Sequence, residues 1–145
     1  MRRDPVSDRP SSRRAAPSLL ATSGMAELAA GALSGWVYTL VIDRRDDARR
    51  LGIVAPARIR QWHLDLAALG TASVALGTAL PDAPAPLQRT MAVAAWSNAG
   101  MFLPLAFKPD LDDDPRFRAV VGASFVATTV GFVGFAATAL RRRRA

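Results

Sequence analysis

The stretch Ala119–Leu140, AVVGASFVATTVGFVGFAATAL, holds no charged residue from end to end. A helix rises about 1.5 Å per residue and needs roughly 20 predominantly apolar residues to span a bilayer's hydrocarbon core. This run meets that length, and three others resemble it. Leu19–Ile42 is interrupted only by Glu27, and Trp62–Leu80 carries His63 and Asp65 near its start. Met91–Phe107 is slightly short but extends back through Leu87. Pro56 stands where a first-turn proline opens a helix, and Pro81, Pro84 and Pro86 mark its exit. The strict two-residue alternation of a membrane barrel is absent. The pattern therefore predicts an all-α protein, a four-transmembrane-helix bundle integral to the membrane. Its helices are expected at 19–42, 56–80, 87–107 and 117–140.

The remaining composition fits that frame. The chain has 145 residues, room for one domain, with half of them apolar and a net charge of +7. Its charges lie in short blocks between the apolar runs. Arg2, Arg3, Arg9, Arg13 and Arg14 precede the first run, and Arg141–Arg144 follow the last. Clusters beside a membrane helix anchor it against anionic headgroups. A nucleic-acid partner would need a basic surface with aromatics or a recognisable module, and neither is present, so the lipid bilayer is the expected partner. Residues 1–18 are expected to be a basic, disordered segment and 141–145 a polyarginine tail. Ser12-Arg13-Arg14 ahead of an apolar run has something of a twin-arginine signal. Glu27 and the length of that run favour a retained first helix instead. Four spans put both termini on one side. The two sides carry nearly equal numbers of Lys and Arg, so orientation rests on the tail that abuts the last helix. That reading makes the chain a multi-pass protein of the inner (plasma) membrane with cytoplasmic termini.

No cysteine is present, which excludes disulfides, thiolate metal sites, iron–sulfur clusters and covalently attached haem. His63 is the one histidine, so a zinc site with several His ligands cannot form within one chain. Asp112–Pro115 is an acidic turn without the spacing of a calcium loop. Small residues that allow close backbone approach recur as Gly31-x-x-x-Gly35, as Gly70 and Gly77, and from Gly122 through Ser124, Thr128, Gly131 and Gly134. They predict helix packing and a homo-oligomer.

Ionisable residues within apolar runs are costly and become functional candidates by default. Glu27 could pair with an arginine or a neighbouring hydroxyl, or serve as a proton-coupled carboxylate. In the latter role it is similar to the small multidrug exporters, which also have four short helices and a glutamate in the first. His63 shares one helical face with Leu66, Ala67 and Gly70. An imidazole above two small residues is the shape that suits a flat ligand, and neutral imidazole is the common axial ligand of haem. The plain alternative is an interfacial histidine satisfied by water or Asp65, in a non-enzymatic membrane bundle.

Two segments read together carry a resemblance. Trp62-His63-Leu64-Asp65-Leu66-Ala67-Ala68-Leu69-Gly70, continuing to Leu80-Pro81, resembles the second helix of the styrene-oxide isomerase and hydroxylaminobenzene mutase family. There a histidine is followed seven residues later by glycine, and the helix ends at a proline. Trp96-Ser97-Asn98-Ala99-Gly100 looks like that family's Trp-Ala-Asn-x-Gly segment. The resemblance covers about half the chain.

It implies a homotrimeric four-helix membrane protein with haem b near the subunit interface, His63 as the axial ligand of the iron, and Ala67 and Gly70 leaving space for the porphyrin. The implied activity is that of an intramolecular isomerase: Lewis-acid rearrangement of a small hydrophobic epoxide or aryl hydroxylamine. Asn98 would be a polar contact in a pocket shared with Phe102. By residue type alone Met25, Met91 and Met101 are conceivable second ligands, but a Met/His pair suits electron transfer better than substrate activation. Three of the family's polar positions are apolar here, namely Leu69, Ala94 and Phe102. Those departures imply an altered substrate or a lost activity.

Overall fold

A computed structural model describes residues 16–144, so most of the basic segment expected over 1–18 lies outside the described residues. The described chain is all-helical. Helix α1 (Leu19–Asp43) opens at Ser18, whose Oγ accepts the Ala21 N–H at 3.2 Å and donates to the Gly77 carbonyl at 2.8 Å. A six-residue helix, α2 (Arg45–Arg50), lies in the connection after α1, where no apolar pattern marks it. Asp46 and Asp47 in its first turn and Arg49 and Arg50 in its last complement its dipole. Gly52 then turns the chain at φ 83°, a backbone state glycine adopts without strain. The N–H groups of Val54 and Ala55 both donate to the Ala106 carbonyl. Pro56 starts α3 (Pro56–Ala79).

The third apolar run is two helices rather than one. Helix α4 (Ala85–Gly100) and α5 (Phe102–Phe107) meet at Met101. Pro104 has no N–H to offer the Gly100 carbonyl, and its ring crowds that turn. Helix α4 starts at Ala85 rather than at residue 87, because Pro86 in its first turn has no N–H that needs a partner. A 3-10 turn (Pro109–Asp113) leads to α6 (Pro115–Arg142). That helix starts two residues earlier than expected because Asp114 caps it, accepting the Arg116 N–H at 2.7 Å.

Helix α1, the α4–α5 pair and α6 are each long and apolar enough to cross a membrane. Helix α3 has comparable length, 24 residues, but His63 and Asp65 interrupt its apolar run. The long helices alternate in direction. Helix α1 lies along α3, α3 along α4, and α4 along α6, while α6 has no comparable packing against α1 or α3 among the described residues.

Apolar side chains form two separate cores at opposite ends. Leu20, Leu80, Met91 and Phe135 fill one, and Val41, Ala48, Ile53, Ile59 and Ala106 the other. Between them α1 and α3 meet through small residues. A Cβ on Gly24 would fall 2.7 Å from the Gly70 carbonyl oxygen, and one on Gly31 would fall 3.4 Å from the Ala67 nitrogen. Near the first core, Gln88 ties three elements together. Its Oε1 accepts the Leu20 N–H at 3.2 Å, and its Nε2 donates to the Ala83 carbonyl at 2.8 Å. The outward surface remains apolar. Trp36 is 78% exposed, and Val126, Val130 and Val133 all face outward from α6.

Candidate functional site

His63 sits on α3 where the antiparallel register brings it level with Gly31–Gly35 of α1. Gly35 lies beside the ring, where a Cβ would meet Cε1 at 3.5 Å, an ordinary contact distance. Tyr38, one turn further along α1, stacks on the imidazole with centroids 5.7 Å apart and planes inclined by 22°. The ring nitrogen Nδ1 lies 3.0 Å from the Gly31 carbonyl oxygen and 3.0 Å from Ser34 Oγ. Ser34 donates its own hydroxyl hydrogen to the Gly31 carbonyl at 2.7 Å.

This knot assigns the tautomer. A carbonyl can only accept, so the nitrogen facing it must carry the proton. With the serine hydrogen already committed to the same carbonyl, Ser34 Oγ also accepts from Nδ1–H. In the neutral form of the ring the lone pair then lies on Nε2, which makes no hydrogen bond among the described residues. Asp65 takes no part. Its carboxylate accepts from Gln61 Nε2 at 2.9 Å, on a different face from a residue two positions away.

Ala67 and Gly70 continue the His63 face, and both meet α1. The space above Gly70 is filled by Leu28, with Cγ and N each 3.0 Å from where a Cβ would stand. The close approach that these small residues could grant a flat ligand is taken up by α1 within the single chain.

Asn98 lies elsewhere, on α4 beside the Met101 break. Its Nδ2 donates to Thr128 Oγ1 of α6 at 3.3 Å, while Thr128 donates to the Ser124 carbonyl at 2.8 Å. Ser97 and Ser124 join their hydroxyls at 2.8 Å one turn away. Asn98 and Phe102 both line a cavity of about 120 Å³, walled further by Met101, Phe117 and Phe125. At its mouth Arg58 pairs with Asp112 at 3.2 Å and lies 6.0 Å from the centre of the Phe102 ring. His63 does not line this cavity. The pocket expected around histidine, asparagine and phenylalanine is thus divided: Asn98 and Phe102 come together, and His63 packs on α1. Arg58 and His63 are five positions apart, which turns them well away from each other on one helix.

The positions singled out as departures from the family pattern are apolar in fact as well as in type. Ala94 is fully buried and Leu69 half-buried. Of the methionines, Met25 faces outward, Met91 is buried against Gly131, and Met101 lines the Asn98 cavity. Trp96 donates its indole N–H to Ser23 Oγ at 3.1 Å, linking α4 to α1.

Glu27 is fully buried on the same α1 face as Gly24, Gly31 and Ser34. Neither carboxyl oxygen has a hydrogen-bond partner, and the same holds for the buried Ser73 Oγ of α3. No arginine or hydroxyl reaches Glu27 among the described residues.

Sequence reasoning missed Ser34 and Tyr38, which hold the imidazole. The available signal was a serine and a tyrosine three and seven residues after Gly31, on the stripe already marked as a packing face. Among the described residues no three His, Cys, Asp or Glu side chains converge as a metal site. No protein-family model, no curated protein and no solved structure matches the chain.

Proposed function

We propose that this chain is a four-span protein of the inner membrane, with cytoplasmic termini, whose His63 holds haem b through Nε2. The observation that carries the reading is the His63–Gly31–Ser34 knot. Metal-bound histidines characteristically donate their other ring N–H to a carbonyl or carboxylate, which fixes the tautomer and raises the basicity of the ligating nitrogen. Here the Gly31 carbonyl and Ser34 Oγ do this, and Tyr38 limits rotation of the ring.

The topology supports the fourth crossing. Leu20 at the start of α1 and Gln88 at the start of α4 are hydrogen-bonded, so both helices begin at one end of the bundle. If both cross the membrane, the chain must return between them, and α3 is the long helix that does so. Its polar residues, Arg58, Arg60, Gln61, His63 and Asp65, crowd the end away from Gln88, where an interface would be. His63 faces α1 rather than lipid.

Bound haem would supply a ferric Lewis acid able to polarise the oxygen of an epoxide or a hydroxylamine. The chain's own residues do the rest. Gly31 and Ser34 keep the proton on Nδ1. The aromatic cavity beside Asn98 has room for a small apolar molecule, but His63 does not line it, so within one chain that cavity stands apart from the imidazole. With apolar residues at positions 69, 94 and 102, the substrate differs from styrene oxide. The assembly is a homotrimer, and native mass spectrometry in mild detergent reads it directly. A strictly monomeric species would overturn that part.

A Soret band from detergent-purified, haem-supplemented protein tests the central assignment. It should be present in the wild type and lost in His63→Ala while both proteins still insert. No band in the wild type, or an unchanged spectrum in His63→Ala, would overturn it. One observation favours a second reading: Glu27 is buried with both oxygens unpartnered, the state expected of a proton-coupled carboxylate in a small exporter. Loss of proton-driven efflux of a lipophilic cation in Glu27→Gln, with no Soret band in the wild type, would select that reading.

A further inference from the structure

A feature that neither His63 nor Asn98 explains is a cavity of about 440 Å³ where α1 ends and α3 begins. Its floor is apolar and firmly built. Val41 and Ile53 belong to the buried core beneath it, and Tyr38 borders it. Its charged lining consists of Arg45, Arg49 and Arg60 without any carboxylate. None of the three takes part in a salt bridge among the described residues, although other arginines at this end do: Arg50 with Asp47, Arg58 with Asp112, and Arg118 with Asp113. Asp43, Asp46 and Asp47 line the neighbouring groove instead, a shallow surface they share with Arg45.

The placement of these cations is fixed by the fold. Arg45 and Arg49 are four apart on α2, hence on one side of it, and Arg60 projects from the first turns of α3. Ala48, buried between Arg45 and Arg49 in sequence, seats α2 on the core, while the bonds from Val54 and Ala55 to Ala106 hold the returning chain. Three guanidinium groups over an apolar floor, at a helix end on the rim of the apolar belt, match an amphiphile with a phosphate head.

We propose that this cavity binds the phosphodiester headgroup of an anionic phospholipid, with Arg45, Arg49 and Arg60 on the phosphate and the Val41–Ile53 floor beneath the glycerol and upper acyl carbons. The site depends on the chain lying in a bilayer but not on haem at His63. Each cation facing an anionic headgroup adds several-fold, so removing three should weaken binding on the order of 100-fold.

The test uses full-length protein in mild detergent, with phosphatidylglycerol or phosphatidylcholine added and retained lipid counted by native mass spectrometry. Extraction from the membrane fraction that requires detergent establishes the bilayer location separately. Phosphatidylglycerol should be retained in preference to phosphatidylcholine. The triple variant Arg45→Gln/Arg49→Gln/Arg60→Gln should lose that preference, whereas Arg89→Gln/Arg116→Gln, which removes two cations that do not line the cavity, should keep it. Arg60→Lys, which preserves the charge and leaves the fold undisturbed, should retain lipid more weakly than wild type. Equal retention of the two lipids by a detergent-extracted wild type would overturn the proposal. So would an unaltered preference in the triple variant, or displacement of the lipid by millimolar inorganic phosphate, which would make free phosphate the ligand.

Discussion

Gly24→Ala adds one methyl group to a tight backbone contact between α1 and α3, and its effect can be worked out from the backbone. The new Cβ would stand 2.7 Å from the Gly70 carbonyl oxygen, 2.7 Å from the Val74 nitrogen and 2.8 Å from Ser73 Cβ. Ordinary contact begins at 3.4 Å, so α1 and α3 must part by about 0.7 Å. Two of the three obstructing atoms are main chain and cannot rotate aside. Overpacking of this kind costs about 1–3 kcal/mol, while replacing a mid-helix glycine by alanine returns roughly 0.5–1 kcal/mol. The net expectation is a loss of about 1–2 kcal/mol.

Gly122→Ala is the matched control. No atom lies within 4 Å of a Cβ there, so only the helix-propensity gain remains, and the sign should reverse. Denaturation midpoints of the two variants in the same detergent should therefore fall on opposite sides of wild type. Equal shifts, or a stabilised Gly24→Ala, would refute the backbone-to-backbone account of the α1–α3 contact.

Ser34→Ala removes one of the two acceptors on His63 Nδ1 and leaves the Gly31 carbonyl. A loss of about 1 kcal/mol in stability is expected, with the Nδ1–H tautomer retained in nitrogen NMR of the imidazole. A switch to the Nε2–H form would contradict the assignment. Glu27→Leu removes a buried acid with no partner, so the denaturation midpoint should rise by the equivalent of about 1–3 kcal/mol. A fall would reveal a partner for the carboxylate. Asp82 accepts from Arg142 Nη1 at 2.6 Å, which holds its carboxyl below the usual carboxylate range. A pKa lowered on folding contributes stability above the unfolded value, lost as pH falls through the folded one. Asp82→Asn should therefore be slightly less stable than wild type at neutrality, converge on it in acid, and so show a flatter acid limb below about pH 4. An acid limb of wild-type steepness would discount the pair.

Much of the helical framework was legible because apolar runs and prolines act locally. Pro56, Pro86 and Pro115 each occupy a helix's first turn, where a missing N–H costs nothing. The Met101 break escaped because the apolar run continues through it, and only the backbone requirement of Pro104 divides it. The partners of His63 were not legible. They depend on the register between α1 and α3, set by glycines about fifty residues apart in the chain, and periodicity says which residues share a face but not which faces meet. The same limit separated His63 from Asn98. Each lies on a helix face that the pattern identifies, yet the two faces open onto different neighbours. The Arg45–Arg49–Arg60 cavity draws on α2, whose six residues are too few for an apolar period.

The docking of α6 mainly on one neighbour has a kinetic consequence. Beyond Phe135 in the core it shares with Leu20 and Leu80, and Arg118 on Asp113, its ties run to α4 or the loop before it: Met91 against Gly131, Leu87 against Gly134, Ser97 with Ser124, and Arg142 with Asp82. Helices α1, α3 and α4 emerge first during synthesis and can settle before α6 exists. The last helix then joins a finished three-helix unit as a separate step. The same economy of contacts makes it the first to leave, because undocking α6 disturbs neither the glycine seam nor the His63 knot. When α6 of one copy detaches, it uncovers on α4 a groove shaped for α6 of any other copy. Exchange of that one helix between neighbours would then link protomers through contacts each already makes within itself.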